Sequence, residues 1–472
     1  MHQKIGWIKA IDDLMRNSLS CFKAYDIRGI IGKEFNEEIC YLVGRAFATL
    51  LNATTVVVGY DARETSPSLC DGLIEGLKTQ GVEVINIGLC GTEEVYWATS
   101  NFNACGGLQV TASHNPINFN GLKLVKSGSA PLNLSNEFNL LKKIIDEGSF
   151  ASAKHTGKEI SMASEARDHY VKRVLTFLDN LSFKEMKVVV NSGNGAAGPT
   201  FDAIEKKLHE KTSNLVFKKI LHNPDSSFPN GVPNPLLKEN QILTQQEVIE
   251  SKADLGIAFD GDFDRCFLFD ETGRFISGEF VIGIMASCFL KKNPLETIVH
   301  DCRSIFHIQD IVAKKNGTSL VSKTGHVFVK QLMRESNAIY GGEISGHHYF
   351  RDFAFCDSGM IPWLVTLEYL SDIKCSLYEL LEERRRLFPS SGEINYKVTD
   401  KNKVLSKVIS EYKGKGAKID LMDGISCSFE DWRFNLRASA TENLLRLNAE
   451  SRIENFELDK KVLELEDLMK SM

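Results

Sequence analysis

Two rhythms of apolar and polar residues alternate along this chain. Glu37 to Leu51 repeats apolar positions at helical spacing, whereas Thr55 to Gly59, Val82 to Ile87 and Gly107 to Val110 are short apolar runs that read as buried strands. Ser66-Pro67 suits the N-cap and first position of another helix, and Gly81 should end it. Beyond Val110 comes a loop, then Asn120-Gly121 as a turn dipeptide leading into a further strand through Leu124.

The same alternation recurs three more times. A helical stretch from Ala163 precedes strands at Lys187 to Val190 and Asp254 to Phe259, with a Pro/Asn/Gly-rich loop from His222 to Pro235 between them. A third unit has strands near Thr297 to His300 and Ala338 to Tyr340 and finishes in a charged helix around Glu382 to Arg386. The last has strands at Ile425 to Phe429 and Trp432 to Leu436 and a closing helix near Leu458 to Met469. The expected division is an extension over 1–20 and units over 21–162, 163–273, 274–387 and 388–472. Strands alternating with helices predict an α/β class with three similar mixed-sheet units, and the fourth unit reads as smaller and α+β.

Composition narrows the partners. A chain of 472 residues exceeds what one core serves, and 43% hydrophobic with 25% charged residues is ordinary for a globular protein. A formal charge of −6 argues against nucleic acid, leaving room for a local basic cleft that holds a small anion. The 11 cysteines include no C-x-x-C pair, so zinc is disfavoured and reduced thiols in a cytoplasmic setting are expected. The first twenty residues lack the apolar core of a secretory signal and fit an extra amphipathic helix. The longest apolar run, Phe280 to Leu290, falls short of the ~20 residues that span a bilayer. It reads as a buried helix, and no membrane partner is expected.

Four strand-end loops carry candidate chemistry. In Thr111-Ala112-Ser113-His114-Asn115-Pro116, Ser113 could be a nucleophile or phosphate carrier, with His114 and Lys123 supplying protons or a positive field. Taken alone, the Ser-His pair reads as a capped turn rather than a catalytic pair, by roughly four to one. Asp260-Gly261-Asp262-Phe263-Asp264-Arg265 sets carboxylates at alternate positions, a pattern that converges oxygens on a hard cation such as Mg²⁺. An EF-hand is excluded because Arg265 stands where that loop needs glycine, and the flanks read as strands. Glu343, Ser345 and His347 sit at every second position; an extended loop would point all three one way, towards sugar hydroxyls. Arg437-Ala438-Ser439-Ala440-Thr441-Glu442 has the fork and hydroxyls of a phosphate cradle. Two motifs mislead. Gly193-Asn194-Gly195-Ala196-Ala197-Gly198 satisfies G-x-G-x-x-G without a ribose-binding acid after the next strand, and Ser113 lacks the G-x-S-x-G elbow.

Taken together with Tyr25-Asp26-Ile27-Arg28-Gly29, Lys323-Thr324-Gly325-His326 and the extension of the Glu343 loop through His348-Tyr349-Phe350-Arg351-Asp352-Phe353, the chain resembles the α-D-phosphohexomutase superfamily, most of all its bacterial phosphomannomutase branch. The resemblance implies three α/β domains and a TATA-box-binding-protein-like fourth around a central cleft: a phosphoserine domain, a metal-binding domain, a sugar-recognition domain and a C-terminal phosphate-binding domain. It implies that Ser113 carries a phosphoryl group beside Mg²⁺ on Asp260, Asp262 and Asp264, with the phosphoserine completing the coordination. Arg28, Lys123 and Arg265 would add positive charge, and Lys123 or His347 would move the proton. Glu343, Ser345 and His347 would hold the sugar, Arg437, Ser439 and Thr441 the phosphate that is not reacting, and Arg303 and His326 would be further contacts. The implied reaction interconverts mannose 6-phosphate and mannose 1-phosphate through a hexose 1,6-bisphosphate, which also serves as activator. Ala440 and Asn443 depart from the family loop, which usually has Asn and Pro there. Activity on glucose phosphates as well, a phosphoglucosamine mutase, a sugar-phosphate phosphatase and a non-catalytic sugar-phosphate binder are the competing readings. Oligomeric state stays open.

Overall fold

The structure, a computed structural model, describes residues 19–24, 26–438 and 444–470. Four sheets follow one another along the chain. In the first, the strand order is Ile27–Ile30, Phe119–Lys126, Gly106–Val110, Thr55–Tyr60, Glu83–Leu89 and Glu159–Ser161, with Ala130–Pro131 paired to the side. The second runs Cys266–Phe269, Leu255–Phe259, Met186–Asn191, Leu215–Ile220; the third runs Thr318–Ser322, Thr297–Asp301, Tyr340–Gly342, His348–Phe350, Cys356–Asp357. The fourth, Ser390–Lys397, Leu444–Ser451, Trp432–Ala438, Ile425–Ser428, Lys418–Asp420, is antiparallel throughout. This is the expected α/β class: three mixed sheets and a smaller α+β unit.

The expected helix over Glu37 to Leu51 forms with those bounds, capped by the Asn36 side chain accepting from Ile39 N. The apolar run from Phe280 lies inside the buried helix Gly278–Lys292. Among the described residues no helix is long and apolar enough to cross a membrane. The next helix, Ser66–Thr79, corrects one detail, since Thr65 occupies the cap position and the Ser66 hydroxyl instead donates to Asp61 Oδ1 at 2.6 Å.

Asn120-Gly121 is a second correction. The pair lies inside the strand Phe119–Lys126. A Cβ on Gly121 would meet Ile27 O at 2.1 Å, so glycine serves the close approach of the neighbouring strand. The Asn120 amide donates to Ser66 Oγ at 2.9 Å and Thr65 Oγ1 at 3.0 Å.

One device is shared by all four units. Each sheet carries a pair of antiparallel strands that flank a candidate motif: Gly106–Val110 with Phe119–Lys126, Leu255–Phe259 with Cys266–Phe269, Tyr340–Gly342 with His348–Phe350, and, on either side of residues outside the described ones, Trp432–Ala438 with Leu444–Ser451. A loop hung between two bonded strands is fixed at both ends, which is how a sheet presents side chains with precision.

Candidate active site

The first two loops meet directly. Ser113 Oγ donates to Asp260 Oδ2 at 2.7 Å, approaches His114 Nδ1 at 3.0 Å and accepts from Arg265 Nη2 at 3.2 Å. Arg265 also donates to Asp260 Oδ2 from Nε at 2.9 Å and from Nη2 at 2.6 Å, and contacts His114. The meeting depends on Gly261, where a Cβ would lie 2.6 Å from Ser113 O. Beneath it the misleading glycine motif has its use: Ala196 N donates to Gly261 O at 3.0 Å, and a Cβ on Gly195 would meet that oxygen at 2.7 Å.

Asp260, Asp262 and Asp264 are no more than 1% exposed. One oxygen of each, Oδ1, has no hydrogen-bond partner among the described residues, and one ligand atom from each of the three falls within 4.8 Å of the others. Three buried carboxylates that each keep an oxygen without a hydrogen bond and bring ligand atoms this close fit a hard divalent cation. The other oxygens are committed. Asp262 Oδ2 accepts from Thr92 Oγ1 at 2.5 Å and from Lys123 Nζ at 2.7 Å, and Lys123 also binds Asp264 Oδ2. Burial alone would lower the Lys123 pKa, but Asp262, Asp264 and Asp260 outweigh it and hold the lysine as a cation. Burial raises the Asp262 pKa, yet Lys123 more than compensates and keeps it below the usual carboxylate range. Burial and the neighbouring Asp262 push Asp264 up to about 6.

His114 is held neutral, with burial first and then Arg265 and Arg28 lowering its pKa well below the ordinary imidazole value. Arg28 braces the serine loop by donating to Ala112 O at 3.1 Å and Asn115 Oδ1 at 2.6 Å.

The third loop joins through a bridge between Arg265 and His347. His347 Nδ1 lies 2.9 Å from Asp357 Oδ2 and 3.8 Å from Asp264 Oδ1. Burial lowers the His347 pKa, but Asp264 and Asp357 together leave it raised. Asp357 in turn pairs with Lys330 at 2.6 Å, a lysine only 1% exposed that lies 4.0 Å from the Tyr96 ring centroid.

The expectation of an extended 343–347 loop is wrong. Gly346 has φ +92 and its N–H donates to Glu343 O, while Glu343 N donates to His347 O, so the segment is a tight turn. Consequently the three side chains do not share a direction by alternation. Glu343 accepts from Gly325 N at 2.7 Å and from the Tyr349 hydroxyl at 2.5 Å; Ser345 Oγ lies 3.5 Å from Arg303 Nη2. Arg303 is paired with Asp301 at 2.7 Å. His326 begins the helix His326–Ser336 next to the Glu343-bound Gly325, and its pKa is lowered well below the usual value by burial and Lys330.

The fourth sheet docks on the third by buried side chains. Glu450 accepts from Ile305 N at 2.7 Å, Phe306 N at 3.1 Å and Ser304 Oγ at 2.9 Å, and pairs with Arg433 at 2.8 Å. Arg437 donates to Asp423 Oδ2 at 3.5 Å, and the same oxygen accepts from Thr324 N at 3.1 Å. Ser439 and Thr441, with Ala440 and Asn443, lie outside the described residues.

Several residues of this site escape the motif reading. Asp61 and Arg63 follow the strand Thr55–Tyr60, and that strand-end position is the one signal they carry. Asp357, Lys330, Asp423, Arg433 and Glu450 carry no local signal, because each acts across distant segments.

Comparison with known proteins identifies the family. Three successive α/β/α domains and the C-terminal domain described for phosphoglucomutase/phosphomannomutase match residues 20–151, 168–273, 277–388 and 393–467. The chain is 47% identical over 436 residues to a phosphomannomutase of Salmonella montevideo, covering 92% of this chain and 96% of the relative. It is 47% identical over 464 residues to a phosphomannomutase of Vibrio cholerae serotype O1, covering 96% and 99%. A crystal structure of a phosphoglucomutase/phosphomannomutase family protein from Burkholderia thailandensis superposes with a TM-score of 0.84 at 28% identity, covering 96% of this chain and 98% of that one. With all four domains matched in order and the serine and aspartate loops in contact, this chain belongs to the phosphoglucomutase/phosphomannomutase family.

Proposed function

We propose that this chain is a phosphomannomutase, interconverting mannose 6-phosphate and mannose 1-phosphate through a phosphorylated Ser113 and a hexose 1,6-bisphosphate. The observation that carries the reading is the Ser113 hydroxyl, 2.7 Å from Asp260 and within reach of Arg265 and His114. The 46–47% identity to relatives named phosphomannomutases supports the sugar.

In the first transfer the P–O bond of phosphoserine breaks as a sugar hydroxyl oxygen bonds to phosphorus. That hydroxyl loses its proton to Nε2 of His347, whose Nδ1 is engaged by Asp357. Lys123, held cationic between two aspartates, suits electrostatic stabilisation better than proton transfer. Arg265 and Lys123 balance the charge left near Ser113 Oγ. The bisphosphate then turns round, Ser113 Oγ attacks the other phosphorus, and His347 returns the proton to the departing sugar oxygen. Mg²⁺, held by the bare oxygens of Asp260, Asp262 and Asp264 and by Ser113, would neutralise charge on the phosphoryl group.

Arg437 would hold the idle phosphate with Ser439 and Thr441, while Glu343, Ser345, Arg303 and His326 would contact the sugar. The turn at 343–347 supports a compact sugar contact rather than a linear one. All eleven cysteines are free thiols, which supports a cytoplasmic setting.

The test is turnover on mannose 1-phosphate and glucose 1-phosphate with a hexose 1,6-bisphosphate and Mg²⁺, alongside intact-mass analysis. We expect preference for mannose, a phosphorylated fraction of about 80 mass units, and loss of both in Ser113→Ala. Preference for glucose would overturn the sugar assignment, and an active Ser113→Ala enzyme would overturn the phosphoserine.

A further inference from the structure

Ser113 has φ +49, in the left-handed region that non-glycine residues enter only when their surroundings force it. One side chain gathers the carbonyls around it. Arg63 Nη2 donates to Ser113 O at 2.9 Å and Asn115 O at 2.6 Å, and Nη1 donates to Pro116 O and Phe119 O, both at 3.0 Å. All four acceptors are backbone carbonyls between Ser113 and Phe119, three in the serine loop and one at the start of the strand that follows. A planar fork with fixed N–H directions can set four carbonyls at once; an ammonium has no such template.

The fork is itself held. Asp61 Oδ1 accepts from Arg63 N at 3.0 Å, and Asp61 Oδ2 lies 3.5 Å from Arg63 Nε. The same Oδ2 accepts from Thr111 Oγ1 at 2.7 Å, and Thr111 Oγ1 accepts from Ser113 N at 2.8 Å. So the amide and the carbonyl of the nucleophile are fixed through one carboxylate and its arginine. Phe228, from the second unit, lies over Arg63 at 5.9 Å, and the arginine is only 2% exposed.

We infer that Arg63, oriented by Asp61, is a positioning residue that sets the direction of the Ser113 hydroxyl. It touches no reacting atom. Its contribution is to hold the attacking and leaving oxygen in line for both transfers, where displacement by about 1 Å costs roughly a hundredfold. This rests on Ser113 being the phosphoryl carrier.

Arg63→Lys keeps the charge and loses the fork. We expect kcat to fall about 100-fold, while KM for mannose 1-phosphate changes less than about threefold because the substrate grip is intact. Uptake of a phosphoryl group by dephosphorylated enzyme from glucose 1,6-bisphosphate, followed by intact mass, should slow by the same factor. Asp61→Asn, which leaves the fork present but less firmly oriented, should show the same split at about tenfold. If Arg63→Lys does not fold, Asp61→Asn decides. Wild-type rates of uptake, or KM rising as far as kcat falls, would refute the positioning role. Wild-type enzyme that takes up no phosphoryl group would instead refute the phosphoserine itself.

Discussion

The two ends of the constellation are built differently. Around Ser113, the three aspartates and Arg265 are at most 3% exposed, and the direct contacts with Ser113 Oγ run from 2.7 to 3.2 Å. At the other end Arg437 and Asp423 each leave 20% of their side chains exposed and stand 3.5 Å apart. The first arrangement is preorganised, with few degrees of freedom left to restrict during reaction. The second keeps its guanidinium available, since a long and partly solvated pair gains little and is readily exchanged for an anion. The proposed reaction, which would hold a bisphosphate in two orientations, calls for that asymmetry: rigid where bonds would change, exchangeable where a phosphate would merely be held.

The largest test of the contrast is at the rigid end. Asp262→Asn removes one bare oxygen's charge and half of the anchor for Lys123. We expect kcat to fall by about 10³ with weaker dependence on added Mg²⁺, and chelation of divalent ions should abolish wild-type turnover. Calorimetric titration of the metal separates lost affinity from lost chemistry. A variant within threefold of wild type would mean that this end is less preorganised than its burial implies.

At the exchangeable end, Arg437→Ala should act on binding. KM for mannose 1-phosphate is expected to rise about 10- to 50-fold with kcat reduced less than about fivefold, because the lost contact is made in ground and transition states alike. Steady-state kinetics reads it. If kcat falls as far as KM rises, Arg437 belongs to the reacting end and the contrast fails.

The smallest effect concerns the junction before the fourth sheet. His307 Nδ1 receives the Arg384 guanidinium at 3.2 Å, and burial followed by Arg384 lowers its pKa well below 6.5. The folded state therefore refuses a proton that the unfolded chain accepts. Stability from this group is full above pH 6.5 and declines as pH falls through 6.5 towards the folded value. The slope is about 1.4 kcal/mol per pH unit. Urea unfolding between pH 7 and 5.5 should show the decline, and His307→Gln should reduce the slope by about one proton. His114, His300, His326 and His348 have lowered values too, so the wild-type slope will exceed that of one imidazole.

What the sequence made legible was local. Helical spacing placed Glu37–Leu51, and apolar runs placed the strands that precede each loop, because those patterns report burial of one face. Asn120-Gly121 was misread since the reason for its glycine, Ile27 O, lies on a strand more than ninety residues earlier in the chain. The Glu343 loop was misread as extended because Gly346 adopts a left-handed backbone that spacing rules ignore. Arg63 had no motif of its own. Its meaning comes from four carbonyls of another segment, and backbone acceptors leave no trace in side-chain identity.

The paired strands that carry each loop also bear on how such a protein can change. Because every functional tip is mounted on its own sheet, residues can be exchanged at one tip while the remaining mounts stay intact. On the proposed function, preference for a different sugar could therefore drift at the 343–347 turn while the proposed phosphate carrier and ion pocket are inherited unaltered.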